Sequence, residues 1–305
     1  PELRPPPGTV PAARPGIGAD VVSAPPVAAG SAPQQLRKPS SSKRIELDFD
    51  ALQAAGLITP NASRTQLSDQ FRVIKRPLIR NAVGKGAQAL THGNLIMVTS
   101  ALAGEGKSFT SVNLAMSIAA ELDHTVMLVD ADVARPSLPR MLGLPSGPGL
   151  LDVLESSVDM SDALLRTNVD KLTVLTSGTP HPRATELLAS EAMRHLLHDI
   201  STRYSDRIII FDSPPLLLTT EARALATNMG QIVVVVRAEQ TLQSDVQHAL
   251  QTIENCPVRM MLLNQARITA SDGYGYGGYG EGYGYGYGHQ QAGAEADRKA
   301  DATMP

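Results

Sequence analysis

The sequence predicts an α/β fold, a doubly wound and mostly parallel sheet, on three observations. Strand-length apolar runs alternate with helical stretches from Asn94 onward. A Gly-rich loop ending in Lys107-Ser108 falls between one such run and the helix that follows it. Two later apolar runs end in aspartates. The strand candidates cover residues 95–99, 125–129, 171–176, 207–211, 231–236 and 258–263. Their near-continuous apolar character suits parallel strands covered by helices on both faces. Helical candidates fill the intervals, over 108–121, 149–155, 185–203, 221–228 and 241–255. This alternation assigns residues 93–268 to one layered domain.

The flanks read differently. Residues 44–92 are expected to form a helical segment, with a short helix over 47–55 stopped by Gly56 and Pro60. A second helix is expected over 66–83, carrying Phe71, Ile74, Leu78 and Ile79 at helical spacing, and Pro77 predicts a kink or break in it. Residues 1–43 are dominated by Pro, Ala, Gly and Ser and read as a disordered arm. Residues 269–305 read as a disordered tail, in which positions 273–288 hold nine Gly, six Tyr and one Glu. Six of the chain's seven tyrosines lie there, which calls for a reason beyond packing.

Composition narrows the function. The 305 residues carry a formal net charge of -3, against the strongly basic face that a nucleic-acid partner demands. The single cysteine, Cys256, leaves no internal disulfide framework and suits a reducing cytosol; it reads as a small buried residue. No run approaches the roughly 20 apolar residues of a spanning helix, so a membrane connection is expected to come through a partner. The chain begins at Pro1 rather than Met, as a processed or truncated start would.

The loop Ala101-Leu-Ala-Gly104-Glu105-Gly106-Lys107-Ser108 has the [AG]-x4-G-K-[ST] spacing of a P-loop in its strand–loop–helix setting. Gly104 and Gly106 let backbone amides turn inward around phosphate oxygens, and the helix start points its partial positive charge at them. Lys107 has the reach for the β- and γ-phosphates, and Ser108 is placed to ligate Mg²⁺. Two acidic elements complete the pattern. Asp130 and Asp132 stand at the end of one strand, where ligands bind in open α/β sheets. Asp212 closes the apolar run Ile208-Ile-Ile-Phe211, the Walker B position opposite the loop hydroxyl, with Pro214 and Pro215 fixing the exit. Taken together the three elements predict a P-loop NTPase domain that binds ATP and Mg²⁺, with Gly104 to Phe109 along the nucleotide: Glu105, Gly106, Lys107, Ser108 and Phe109 included.

These motifs and the tyrosine-rich tail resemble the bacterial tyrosine kinases of capsule and exopolysaccharide assembly. The stretch around Arg44–Pro60 and the run Phe71-Arg-Val-Ile-Lys-Arg-Pro-Leu78 are similar to the exosortase-associated tyrosine autokinase branch. The resemblance covers about residues 44–288. It implies a non-specific protein tyrosine kinase that phosphorylates its own tail in trans, at Tyr274, Tyr276, Tyr279, Tyr283, Tyr285 and Tyr287, and so regulates polysaccharide synthesis or export. It implies Lys107, Asp130 and Asp132 as catalytic residues, Asp130 as the base, with Ser108, Asp132 and Asp212 on the metal. It places the loop Gly178-Thr-Pro-His-Pro-Arg-Ala-Thr-Glu186 against the incoming tyrosine segment and Asn264 against adenine. Implied partners are a transmembrane chain-length regulator, further copies of the chain in a ring, and a tyrosine phosphatase. The implied location is cytoplasmic, peripheral at the inner membrane through that regulator.

Two elements depart from the family pattern. Ala134 stands where the Asp-x-Asp-x-Arg element has arginine, and Arg135 follows it. The ring-forming Glu-x-x-Arg-x-x-Arg helix is represented by Asp69-x-x-Arg72-x-x-Lys75, which keeps the charges but changes the donors. Two other readings compete: a partitioning-type ATPase switch, which usually carries an extra lysine where Leu102 stands, and a nucleotide-gated scaffold whose Gly/Tyr tail is only adhesive. The absence of an Asn-Lys-x-Asp run argues against a GTPase.

Overall fold

A computed structural model describes residues 42–86, 90–203 and 206–267. The proposed arm up to residue 41 and the tail beyond Arg267, tyrosine cluster included, lie outside the described residues.

The described chain opens with a two-residue strand, β1 (Lys43–Arg44), too short to carry a readable period. Helix α1 (Phe49–Ala54) starts where the Asp48 carboxylate accepts the amides of Asp50 and Ala51. Helix α2 (Gln66–Ala82) begins at a Thr65/Ser68 capping box. It runs through Pro77 without ending, so of the kink or break expected there the break does not occur. The bond Pro77 cannot donate would go to the carbonyl of Val73, which sits on the helix's exposed side, so the loss falls where solvent substitutes.

The nucleus of the domain is β2 (Leu95–Ser100), α3 (Lys107–Ala119) and β3 (Thr125–Asp130). Two single-turn helices, α4 (Leu138–Leu142) and α5 (Leu150–Leu154), and a shorter α6 (Met160–Ala163) follow. Of these only α5 is legible from the apolar pattern, because one turn among prolines and glycines shows no period. Strands β4 (Leu165–Arg166) and β5 (Leu172–Leu175) form a tight antiparallel pair, closed by the Thr167 hydroxyl donating to the Leu172 carbonyl at 2.9 Å.

The helix expected over 185–203 is two helices, α7 (Ala184–Leu188) and α8 (Glu191–Arg203). Ser190 makes the break. Its hydroxyl donates to the Leu187 carbonyl at 2.7 Å and accepts the Met193 amide at 3.2 Å, capping a new helix start. The remaining elements are β6 (Arg207–Asp212), α9 (Thr220–Ala226), β7 (Gln231–Arg237), α10 (Gln243–Gln251) and β8 (Val258–Asn264).

The eight strands form one sheet in the order β1-β4-β5-β3-β6-β2-β7-β8, parallel except at β4–β5. Side chains alternate faces along each central strand. Ile96, Val98, Val126, Leu128, Ile208 and Ile210 pack with α2 and α3 on one face. Leu95, Met97, Met127, Val129, Ile209 and Phe211 pack with α5, α7, α8, α9 and α10 on the other. That is the doubly wound arrangement the apolar runs predict. A Gln231 amide anchors α2 to the sheet, donating to the Leu78 and Gly93 carbonyls at 3.1 and 2.6 Å.

Lys75 is set apart from the other two charged members of the Asp69-x-x-Arg72-x-x-Lys75 element. Its side chain is buried between α2 and α3, where the ammonium donates to the Ser117 carbonyl at 2.5 Å and pairs with Glu121 at 2.6 Å. Asp69 and Arg72 remain on the surface, paired with each other at 3.2 Å, and Asp69 also holds Arg64 at 2.8 Å.

Candidate active site

The carboxyl edge of the sheet gathers the predicted residues. Parallel pairing sets Asp130 at the end of β3 directly beside Asp212 at the end of β6, and Val98 of β2 lies beside Asp212 on its other side. The phosphate loop follows β2 at the same edge. Gly104 and Gly106 take φ of +82° and +96°, the left-handed region that a side chain resists. The loop delivers Lys107 as the first residue of α3, and the lysine is nearly fully buried.

Asp212 is fully buried and held from two directions. Ser111 Oγ, one turn beyond Lys107, donates to Asp212 Oδ1 at 3.1 Å, and the Ser108 hydroxyl is also in hydrogen-bonding contact with this carboxylate. Ser137, the residue before α4, lies 2.6 Å from Ser108 Oγ and 3.4 Å from Asp212 Oδ2. Asp130 is equally buried. Its Oδ2 accepts the Leu138 amide at 3.1 Å and its Oδ1 accepts the Asp132 amide at 3.3 Å. Asp132 is only half-buried and accepts the Arg135 amide at 3.2 Å.

Electrostatics follow from that crowding. Burial pushes the Asp130 carboxyl up to about 8, and the neighbouring Asp212 adds to the push. Burial also raises Asp212 to about 6, against the Ser108 and Ser111 hydroxyls and the Lys107 ammonium. Asp132 is raised by burial too, with Lys107 the main opposing influence. The positive charge of Arg135, the residue after Ala134, lowers Asp132 somewhat, while Arg135 itself stays exposed. Two buried acids crowded beside a serine hydroxyl form a donor set short of positive charge. Among the described residues no group of three His, Cys, Asp or Glu side chains forms a ready metal cage. A hydroxyl with one or two carboxylates suits Mg²⁺, which completes its octahedron with water and substrate phosphates.

Other predicted residues sit elsewhere. Phe109 packs against the core cluster on the α2 side of the sheet. Asn264, at the end of β8, donates to the Glu105 carbonyl at 2.9 Å. The loop from Gly178 to Glu186 follows the end of β5, with Thr179 N–H donating to Asp152 Oδ2 at 2.9 Å and His181 beside Glu155 at 2.7 Å. Thr185 reaches Glu221 at 2.7 Å. Sequence reasoning missed Ser111, Ser137 and Thr241. The first carried a usable signal, since it stands four residues after Lys107 and so on the same helical face. The others reach the site only through tertiary packing.

Fold and loop together define the chain as a P-loop NTPase. A family model described as "ParA: NUBPL iron-transfer P-loop NTPase" matches residues 91–266. Over 209 residues the chain is 30% identical to tyrosine-protein kinase YwqD of Bacillus subtilis, spanning 68% of this chain and 84% of that one. Over 213 residues it is 28% identical to putative tyrosine-protein kinase CapB of Staphylococcus aureus, spanning 69% and 90%. The solved structure of the chimerical protein CapA2B2 superposes with a TM-score of 0.57 at 26% identity, over 72% of this chain and 93% of that chain. The chain belongs to the bacterial tyrosine-kinase family of P-loop NTPases. Among the described residues no helix is long and apolar enough to cross a membrane.

Proposed function

We propose that the chain transfers the γ-phosphoryl group of ATP to tyrosine hydroxyls, with Tyr274, Tyr276, Tyr279, Tyr283, Tyr285 and Tyr287 of a neighbouring copy as acceptors. The observation that carries this reading is the convergence of Lys107 and Ser108 with Asp130, Asp132 and Asp212 at one sheet edge. In the transfer a phenol oxygen bonds to the γ-phosphorus, the bond to the β–γ bridging oxygen breaks, and ADP leaves with that electron pair. Lys107 neutralises the phosphoryl oxygens, and Ser108 with Asp212 and Asp132 would hold Mg²⁺. The cation would supply charge neutralisation across the β- and γ-phosphates. A phenol of pKa about 10 also needs a proton acceptor.

Asp130 is the acceptor in this reading, yet its two oxygens are both occupied by backbone amides and it is fully buried. That observation favours a second reading, in which Asp130 ties α4 to the site, Mg²⁺ is left to Ser108 and Asp212, and the half-buried Asp132 takes the proton. An Asp130→Asn and Asp132→Asn pair separates them. The base variant loses kcat with nucleotide affinity retained, whereas the positioning variant loses both.

The wider role proposed is control of exopolysaccharide synthesis or export. A transmembrane chain-length regulator would act as activator and membrane tether, and a phosphatase as the reverse enzyme. The decisive test is an anti-phosphotyrosine blot of purified protein with and without ATP and Mg²⁺. Wild type is expected to gain signal and Lys107→Met to show none. A full signal in Lys107→Met overturns the phosphate-site assignment, and no signal in any form, with the regulator's cytoplasmic segment added, favours the scaffold reading.

A further inference from the structure

Glu105 lies within the phosphate loop, but its carboxylate is buried against the ends of neighbouring strands. One oxygen accepts the Leu102 amide at 2.6 Å, and the other accepts the Thr241 hydroxyl from the turn after β7. Its backbone carbonyl accepts Asn264 Nδ2 at 2.9 Å from the end of β8. Thr241 is itself fixed, because the Arg237 amide donates to its hydroxyl at 3.2 Å. Asn264 is fixed as well: Arg237 and Asn264 stand opposite each other in the β7–β8 register, and Ala238 N–H donates to the Asn264 carbonyl at 2.9 Å. Gly106, the next loop residue, lies so close to the Asn264 amide that a Cβ there would overlap it.

We infer that Thr241 and Asn264 are positioning residues that clamp the phosphate loop through Glu105 before any nucleotide arrives, and that Asn264 serves the loop rather than the base. This rests on the phosphate-site reading above. A loop whose amides converge on an anion is costly to order, and hydrogen bonds already made in the free protein remove that cost from binding. The clamp also engages both oxygens of the one carboxylate in the loop, so that its charge is committed to donors at the strand ends. Ligands that rest phosphates on this loop therefore share the benefit, whether or not they carry a base.

The test compares ADP with inorganic tripolyphosphate, each with Mg²⁺, on the full chain and on Thr241→Val, Thr241→Ser and Asn264→Ala. Amide exchange over residues 102–107 is followed in the nucleotide-free proteins. Thr241→Val and Asn264→Ala are expected to weaken both ligands by the same factor, about tenfold for a lost buried hydrogen bond. Loop amides should exchange faster while β2 and β6 keep their protection, and Thr241→Ser should restore both readouts. Loss of ADP affinity alone in Asn264→Ala would assign that residue to the base and overturn the inference. Unchanged affinity and exchange in Thr241→Val would remove Thr241 from the clamp. Failure of wild type to bind either ligand would overturn the phosphate-site reading instead, leaving the clamp to be judged on amide exchange.

Discussion

At the scale of single residues, the carboxylates of the site trade stability for charge. Asp130, at about 8, and Asp212, at about 6, stand well above their ordinary 3.8 in the free protein. Between about pH 4 and 8 the folded chain therefore holds protons that the unfolded chain has released. Stability from these groups is full below the unfolded value and falls as pH rises through the folded ones. The nucleotide-free protein is expected to melt lower at pH 8 than at pH 5, through this site. Asp212→Asn removes one buried charge and its repulsion of Asp130. Relief of that repulsion should raise the melting temperature at pH 8, where both groups would otherwise carry charge, and change it little at pH 5, where they are mostly protonated. The same variant should lose stabilisation by Mg²⁺ and ADP. A variant that melts like wild type at pH 8 would show that Asp212 does not raise Asp130.

At the scale of elements, the join between α2 and α3 rests on one buried cation. Lys75 crosses from α2 to the Ser117 carbonyl and Glu121, and its side chain is buried. Lys75→Met keeps the stem's packing but leaves the Ser117 carbonyl without this donor, while Glu121 remains partly in water. The expected loss is about 1–3 kcal/mol, read as a lower urea midpoint at unchanged slope. Asp69→Asn, by contrast, touches only an exposed pair and should shift the midpoint by less than about 0.5 kcal/mol. Equal effects of the two would mean that the α2–α3 join does not depend on Lys75. The placement also divides the Asp69-x-x-Arg72-x-x-Lys75 motif: two members face outward, and the third secures the helix that would carry any assembly contact.

At the scale of the whole molecule, the tail's point of departure matters. Tyr274 stands ten residues beyond Asn264, itself in contact with the phosphate loop. Ten residues span up to about 35 Å when extended, so a chain's own tail has the reach to enter its own site. Transfer between copies is therefore tested by mixing Lys107→Met full-length protein with an active form truncated after Arg267. The full-length partner is expected to become phosphorylated. Signal only in unmixed wild type would assign the reaction to the chain's own tail. Six phosphates would add on the order of -9 to -12 charges, against a formal net charge of -3 for the whole chain. Tails close together would repel most strongly within the ~8 Å Debye length at physiological salt. Phosphorylated protein is expected to sediment as smaller species, and a six-fold Tyr→Phe variant to stay assembled in ATP. Unchanged size on phosphorylation would make the tail a substrate without a switching role.

The sequence by itself determined the class of fold and the order of the motifs. Apolar runs bounded by Gly, Pro and Asp carry the central strands β2, β3, β6 and β7, since burial on both faces of a parallel sheet leaves a direct mark on composition; the edge strand β8 is apolar too but half-exposed. The loop ending in Lys107-Ser108 was legible because its function depends on backbone geometry that only a short local pattern produces. Tertiary structure alone decided which polar groups meet. Asp130 and Asp212 become neighbours through strand order, Ser137 joins Ser108 through a one-turn helix with no period, and Thr241 and Asn264 reach Glu105 from the ends of β7 and β8. Lys75 stands in sequence beside other charges of α2 and is buried where the Ser117 carbonyl and Glu121 receive its ammonium. Local periodicity specifies which face of an element is apolar, whereas the partner of a buried polar group is set by strand order and packing between segments far apart in the chain.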